Sequence, residues 1–215
     1  YQSLILNLRV WTDQLNLITS DAYSFIRPDF RVLMKLKESE TLRLIFRSTR
    51  QFTDINNLAE GFIFRNYNSF FRGNSNLEAA FFNVVNLNYQ SINIFNFTNI
   101  FANLSYSRRD NAIQNTTAVQ GINSVRSATN SDFPRYTYTA SGRIDKRFKN
   151  FKGGLNVNFN YSDFNNVINN NPTESINFNQ RYSANIATNF RNMPNLEVGY
   201  SYNVRDYTNG NVQSK

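Results

Sequence analysis

The chain has 215 residues and a formal charge of +8, and it contains neither histidine nor cysteine. Without imidazole or thiol, Ser-His-Asp and Cys-His catalysis, imidazole or thiolate zinc sites and disulfide frameworks are all excluded. No apolar run reaches the roughly 18 residues of a transmembrane helix, and the opening YQSLILNLRVWTDQL lacks the basic, apolar and small-residue regions of a secretory signal.

Asparagine is the commonest residue, aromatics make up 15% of the chain and the mean hydropathy is -0.51. That mixture is too polar for a compact core, but it suits strands with one side in lipid and the other in water. Basic residues are spread singly along the chain, as in Arg31 and Lys35, Arg43 and Arg47, or Arg143 and Arg147. No compact basic helix or aromatic RNA-reading signature accompanies them, which argues against nucleic acid as a partner.

The first ten residues alternate Leu4, Leu6 and Leu8 with Ile5, Asn7 and Arg9, predicting a strand that runs into a polar connection from Trp11 to Ala22. A second strand is expected from Tyr23 to Lys37, a tight turn over Lys37 to Glu40, and a third strand from Thr41 to Thr49. From Arg50 to Asn76 periodicity stops, and the clustered aromatics of GFIFRNYNSFFRGNSN read as a functional loop. Strand four is predicted from Leu77 to Tyr89, a turn at Gln90 and Ser91, and strand five from Ile92 to Arg108.

A second long polar connection, Asp110 to Phe133, precedes strand six, Arg135 to Arg147, and a short basic turn. In the segment Gly153 to Asp163, Leu155, Val157, Phe159 and Tyr161 alternate with Asn156, Asn158, Asn160 and Ser162, so one face is apolar and the other amide-rich. A loop with Asn-Asn-Asn-Pro, Phe164 to Thr173, leads to strand eight, Ser175 to Phe190. After a turn at Asn192 to Asn195, strand nine carries Leu196, Val198, Tyr200, Tyr202 and Val204 on one side, and Asp206 to Lys215 reads as a polar tail.

Long and short connections thus alternate, as in an up-and-down meander with clipped turns at one end and free loops at the other. The fold expected is all-β: an antiparallel up-and-down transmembrane β-barrel, present as a section of about nine strands of a larger barrel, because single-chain bacterial barrels have an even number. The whole of 1–215 reads as one outer-membrane barrel segment, with no plug, signal peptide or terminal closing strand in it.

The segments Ile26 to Thr53, Phe70 to Ser91 and Phe101 to Thr117 resemble the barrel portion of outer-membrane receptors of the TonB-dependent type. Gly73 to Leu77, opening a strand after a long loop, and Asp110 to Ile113, closing one, match features of that family. The resemblance implies localisation to the outer membrane of a Gram-negative bacterium and uptake of a bulky nutrient such as a glycan or metal chelate. It also implies partners: outer-membrane lipid, an N-terminal plug, a TonB-type energy-coupling protein and a surface lipoprotein. Two other classes remain open, a non-transporting outer-membrane scaffold and a soluble β-rich adhesive domain.

Candidate site residues follow from these readings. The alternating polar face, with Arg43, Arg47, Arg143, Asn156, Asn158, Asn160, Glu197 and Asn203, is expected to face the lumen. The loop aromatics Phe62, Phe64, Tyr67, Phe70 and Phe71 are candidates for stacking on a ligand. Tyr106, Tyr136, Tyr161, Tyr200 and Tyr202 suit interfacial girdles. No catalytic residue, cofactor or metal site is expected, and the chain reads as a non-enzyme.

Overall fold

A computed structural model describes residues 3–16, 22–168, 171–210 and 212–214. Its strands, in chain order, are β1 (Ser3–Asn16), β2 (Ala22–Lys37), β3 (Glu40–Gln51), β4 (Phe62–Asn66), β5 (Ser69–Arg72), β6 (Ala80–Asn93) and β7 (Thr98–Asp110). They continue as β8 (Ile113–Gln120), β9 (Asn123–Asn130), β10 (Arg135–Phe148), β11 (Phe151–Ile168), β12 (Asn171–Thr188), β13 (Glu197–Asn209) and β14 (Val212–Ser214). A single helical turn, α1 (Ile55–Leu58), is capped by Asp54, whose side chain accepts from the Asn56 amide. No helix among the described residues is long and apolar enough to cross a membrane.

Nine long strands, β1, β2, β3, β6, β7, β10, β11, β12 and β13, form one antiparallel up-and-down sheet in which each pairs with the next. Among the described residues β1 and β13 do not meet, so the sheet is open. Side-chain alternation and register together sort its two faces. Leu6, Val32, Leu44, Leu87, Leu104, Ala140 and Phe159 stand in one cross-strand row. The adjacent row on the other face runs Arg43, Asn88, Asn103, Ser141, Asn158, Arg181 and Asn203.

None of the described residues covers the apolar face. Leu6 is 60% exposed, Leu104 54% and Tyr200 71%, and the only buried apolar residues among those described are Phe71, Ala80, Ala112 and Ala128. All four lie at the loop end of the sheet or in its loops, so the nine-strand wall is a single layer.

The apolar band also slants across the register. The row through Phe30, Phe46, Val85, Tyr106, Tyr138, Tyr161 and Phe178 reaches Asp206 on β13. The apolar side chains of β13 lie farther toward the short turns, from Val198 to Val204, whereas those of β1 extend the other way to Val10. A band oblique to the strands is the geometry of tilted barrel staves.

The nine expected strands are present, and several boundaries differ. β1 runs on to Asn16, paired with Ala22, so the polar connection from Trp11 is largely strand; residues 17–21 lie outside the described residues. The Phe164 to Thr173 loop is likewise a continuation of the β11–β12 ladder to Ile168 and Asn171, with 169–170 outside the described residues. A hairpin ladder outlasts the apolar pattern because its hydrogen bonds are made by backbone, whatever the side chains. The turn expected at Gln90 and Ser91 falls at 94–97, because the Asn93 side chain accepts from the Phe95 and Asn96 amides and closes the turn there.

Strand four begins at Ala80, and strand eight ends at Thr188. The supposed polar tail continues β13 to Asn209 and folds back as β14. Only two connections are therefore long on the loop side, and each contains a hairpin, β4–β5 in one and β8–β9 in the other.

Candidate functional site

On the polar face, hydrogen bonds knit neighbouring strands. Asn103 Nδ2 donates to Asn88 Oδ1 at 2.6 Å, Asn160 Nδ2 to Thr139 Oγ1 at 3.1 Å, and Arg205 Nε to Asn179 Oδ1 at 2.9 Å. Asp29 is 5% exposed and clamped by two guanidiniums, Arg31 Nε at 2.8 Å and Arg47 Nη2 at 3.0 Å. Arg143 Nε reaches Asp145 at 2.6 Å, and Asn185 Nδ2 donates to Glu197 Oε1 at 3.3 Å. Asparagine disfavours strands in general, yet here its amide both donates and accepts toward the next strand.

Every polar-face residue expected from alternation stands on this one face. Arg43 opposes Asn88, Arg47 opposes Asp29 and Arg143 opposes Asn156. Asn158 and Asn203 flank Arg181, Asn160 opposes Asn179, and Glu197 opposes Ala187. An open concavity over this face is lined by Asn158, Asn160, Asn179, Arg181, Asn203 and Arg205. The surface is a dense, net-positive field of guanidinium and amide groups, chemistry that recognises hydroxyls, carboxylates and phosphates.

At the loop end the two hairpins join. β5 pairs in parallel with β9, and β8 meets β11 at Thr117 and Ile168. This gives a small cap of four short strands that continues the wall. Gly73 N donates to Ala59 O at 3.0 Å, Asn74 N to Asn57 O at 2.7 Å, and Ser124 N to Asn68 O at 2.8 Å. A Cβ on Gly73 would meet the Ala59 carbonyl oxygen, and would lie 2.8 Å from both Ala59 N and Asn57 O, so only glycine fits there.

The loop aromatics divide between the faces of this cap. Phe62, Phe64 and Phe70 share one face through the pairs Phe62 with Arg72 and Phe64 with Phe70. The Phe64 and Phe70 rings meet edge-on at 5.6 Å, and Arg72 Cζ lies 5.6 Å from the Phe62 ring centre. Phe62 and Phe64 are each 65% exposed and Tyr67, in the turn, 85%. Phe71 points the other way and is 5% exposed, so it serves packing and offers no stacking surface.

Sequence periodicity missed the β8–β9 hairpin and its parallel union with β5. Asn123 to Asn130 has no apolar alternation, and parallel pairing between two loops leaves no local signal. The Gly121-Ile122 turn, with Gly121 at φ +60°, was the cue available.

No protein-family model matches the chain, and no curated protein matches it. Among solved structures its fold is similar to that of the copper transporter OprC, with a TM-score of 0.53 and 11% identity. The match covers 98% of this chain and 38% of that one. The chain thus spans well under half the length of that transporter.

Proposed function

We propose that this chain is part of the wall of an outer-membrane β-barrel through which a bulky polar nutrient is taken up, its polar face lining the path. One observation carries the reading: a predominantly apolar band across nine strands, uncovered by any of the described residues, set back to back with a face of Asn, Arg and Ser. In water each exposed Leu or Phe on that face forgoes on the order of 1.5–3 kcal/mol, and monomeric soluble proteins rarely carry so extensive a patch. In lipid the same face is at home. Strands of 13 to 18 residues in the stretch from β10 to β13 exceed the roughly 10 that span a bilayer at a tilt, and the slanted band supports that tilt.

The fold shared with a transporter supports transport. Cargo follows from the lining: amides and guanidiniums suit a glycan or the anionic shell of a metal chelate. Bare copper, the cargo named for OprC, would call for soft or imidazole ligands. This chain has no Cys or His, and of its two methionines Met34 lies on β2 and Met193 in the β12–β13 connection. Energy coupling through a TonB-type protein, a plug against the polar face and a surface lipoprotein over the cap complete the proposal.

Charge placed on each face tests it. Phe159→Arg should cost about 2–4 kcal/mol of membrane stability and abolish heat-modifiable assembly in outer-membrane fractions, whereas Asn158→Arg should cost well under about 1 kcal/mol. Equal tolerance of the two, or a chain that dissolves without detergent, overturns the membrane reading.

A further inference from the structure

On the polar face just beyond the tyrosine row, toward the cap, Arg109 of β7 and Arg135 of β10 are direct cross-strand partners. Like charges opposite each other repel. Each guanidinium instead lies over a ring on its outer side. Arg109 Cζ is 4.9 Å from the centre of Phe82, its partner on β6, and Arg135 Cζ is 4.6 Å from the centre of Phe164 on β11. The four side chains form a row with rings outermost and two cations side by side between them.

Several other arginines of the face are paired. Arg31 and Arg47 share Asp29, Arg143 holds Asp145 and Arg205 holds an amide. Arg109 Nε and Arg135 Nε are both buried with no hydrogen-bond partner. Asp110, adjacent in sequence to Arg109, is engaged at 2.7 Å by Arg108, and strand alternation sets both on the opposite face. Two half-buried cations at directly opposed positions, with no acid paired to either among the described residues, carry a charge penalty that a bound anion would relieve.

We infer that Arg109 and Arg135 form an oxyanion site that grips a carboxylate or phosphate group of a solute entering along the polar face. The inference rests on the proposal that this face is the watered one. Forks on adjacent strands, about 4.8 Å apart, can each donate to a different oxygen of one such group. The flanking phenyl rings fix the guanidinium planes and thin the competing water, which strengthens each charged hydrogen bond.

The test is a titration of the full chain, purified from membranes, with inorganic phosphate in one arm and acetate in the other, read by heat and by the unfolding midpoint. Wild type should bind one of the two anions saturably and be stabilised by it, and the tighter arm names the group. Arg135→Gln should weaken that binding by roughly tenfold to a hundredfold, and Arg135→Lys, which keeps charge without the fork, by an intermediate factor. In anion-free buffer Arg135→Gln should unfold no earlier than wild type, since it removes repulsion. A purely structural stack predicts the reverse: an earlier midpoint for the variant and no response to either anion.

Silence of wild type in both arms, or unchanged affinity in Arg135→Gln, overturns the site. Failure of the membrane reading shows separately, in the Phe159 and Asn158 pair. A chain soluble without detergent that still binds through these arginines would keep the site.

Discussion

The nine-strand wall and the small cap of loop hairpins are built from the same secondary structure and held by different forces. Across the wall, apolar side chains such as Leu104 and Leu155 are more than half exposed, while the cap and its junction hold Phe71, Ala80, Ala112 and Ala128, each at most 6% exposed. The wall therefore depends on its backbone ladder and on whatever apolar medium meets its outer face. The cap depends on protein packing and on polar fastenings that only this loop sequence supplies. Disturbing one should leave the other standing.

The largest effect that separates them is expected at Gly73. An added methyl there meets backbone of Ala59 and Asn57, which cannot swing aside, so Gly73→Ala should loosen the cap by about 3 kcal/mol. Gly154, on the wall, is the contrast: a Cβ there would meet Asn185 Oδ1 and, at 3.0 Å, Asp145 Oδ1, both at the ends of side chains, which can turn where backbone cannot. Gly154→Ala should cost less than about 1 kcal/mol. Hydrogen exchange resolved by segment checks both: in Gly73→Ala, amides around Asn74 and Ser124 should lose protection while those of β10 and β11 keep theirs. Loss of protection in the wall as well would show that the two regions fold as one unit.

A smaller effect in the same direction is expected at Asn130. Its Oδ1 accepts from the Glu78 amide at 2.8 Å, and its Nδ2 donates to Glu78 O at 2.9 Å and Asn111 O at 3.0 Å. One side chain thus ties both long connections to each other where they leave the wall. Asn130→Ala should cost about 1–2 kcal/mol, discounted for partial exposure. Limited proteolysis should then cut the β8–β9 hairpin faster, with the wall strands intact.

The same division explains what could be read from sequence. Alternation such as Leu155, Val157, Phe159 and Tyr161 against Asn156, Asn158 and Asn160 identified wall strands and both faces, because one face is mainly apolar through the middle of the strands. Strand ends were less legible: Thr12 to Asn16 and Phe164 to Ile168 lie where the backbone ladder continues past the apolar pattern of the sequence. In the cap, Phe62, Phe64 and Phe71 were recognisable as an aromatic cluster. That Phe71 turns inward depends on the parallel union of β5 with β9, a contact between loops more than fifty residues apart. The Arg109 and Arg135 pair was equally hidden, since each is an ordinary strand residue until register sets one opposite the other.

The smallest effect belongs to the exposed β2–β3 turn. Lys37 Nζ lies 3.0 Å from Glu40 Oε1 across the β2–β3 turn, with the lysine side chain 71% exposed. The hydrogen bond that Lys37 donates to the Glu40 carboxylate, and then the charge of that carboxylate, raise the Lys37 pKa above the usual lysine value. A raised pKa in the folded state means that the pair stabilises the turn wherever unfolded lysine is also protonated, and that this contribution is lost as pH climbs through the folded pKa. At neutral pH Glu40→Gln should therefore unfold slightly earlier than wild type. The gap should close in strongly alkaline solution, and at 1 M salt even at neutral pH, because exposed charges are then screened. A gap that persists under both conditions would mean that Glu40 holds the turn through its backbone register with Lys37 and Ser91, and that the ladder governs even the turns of the wall.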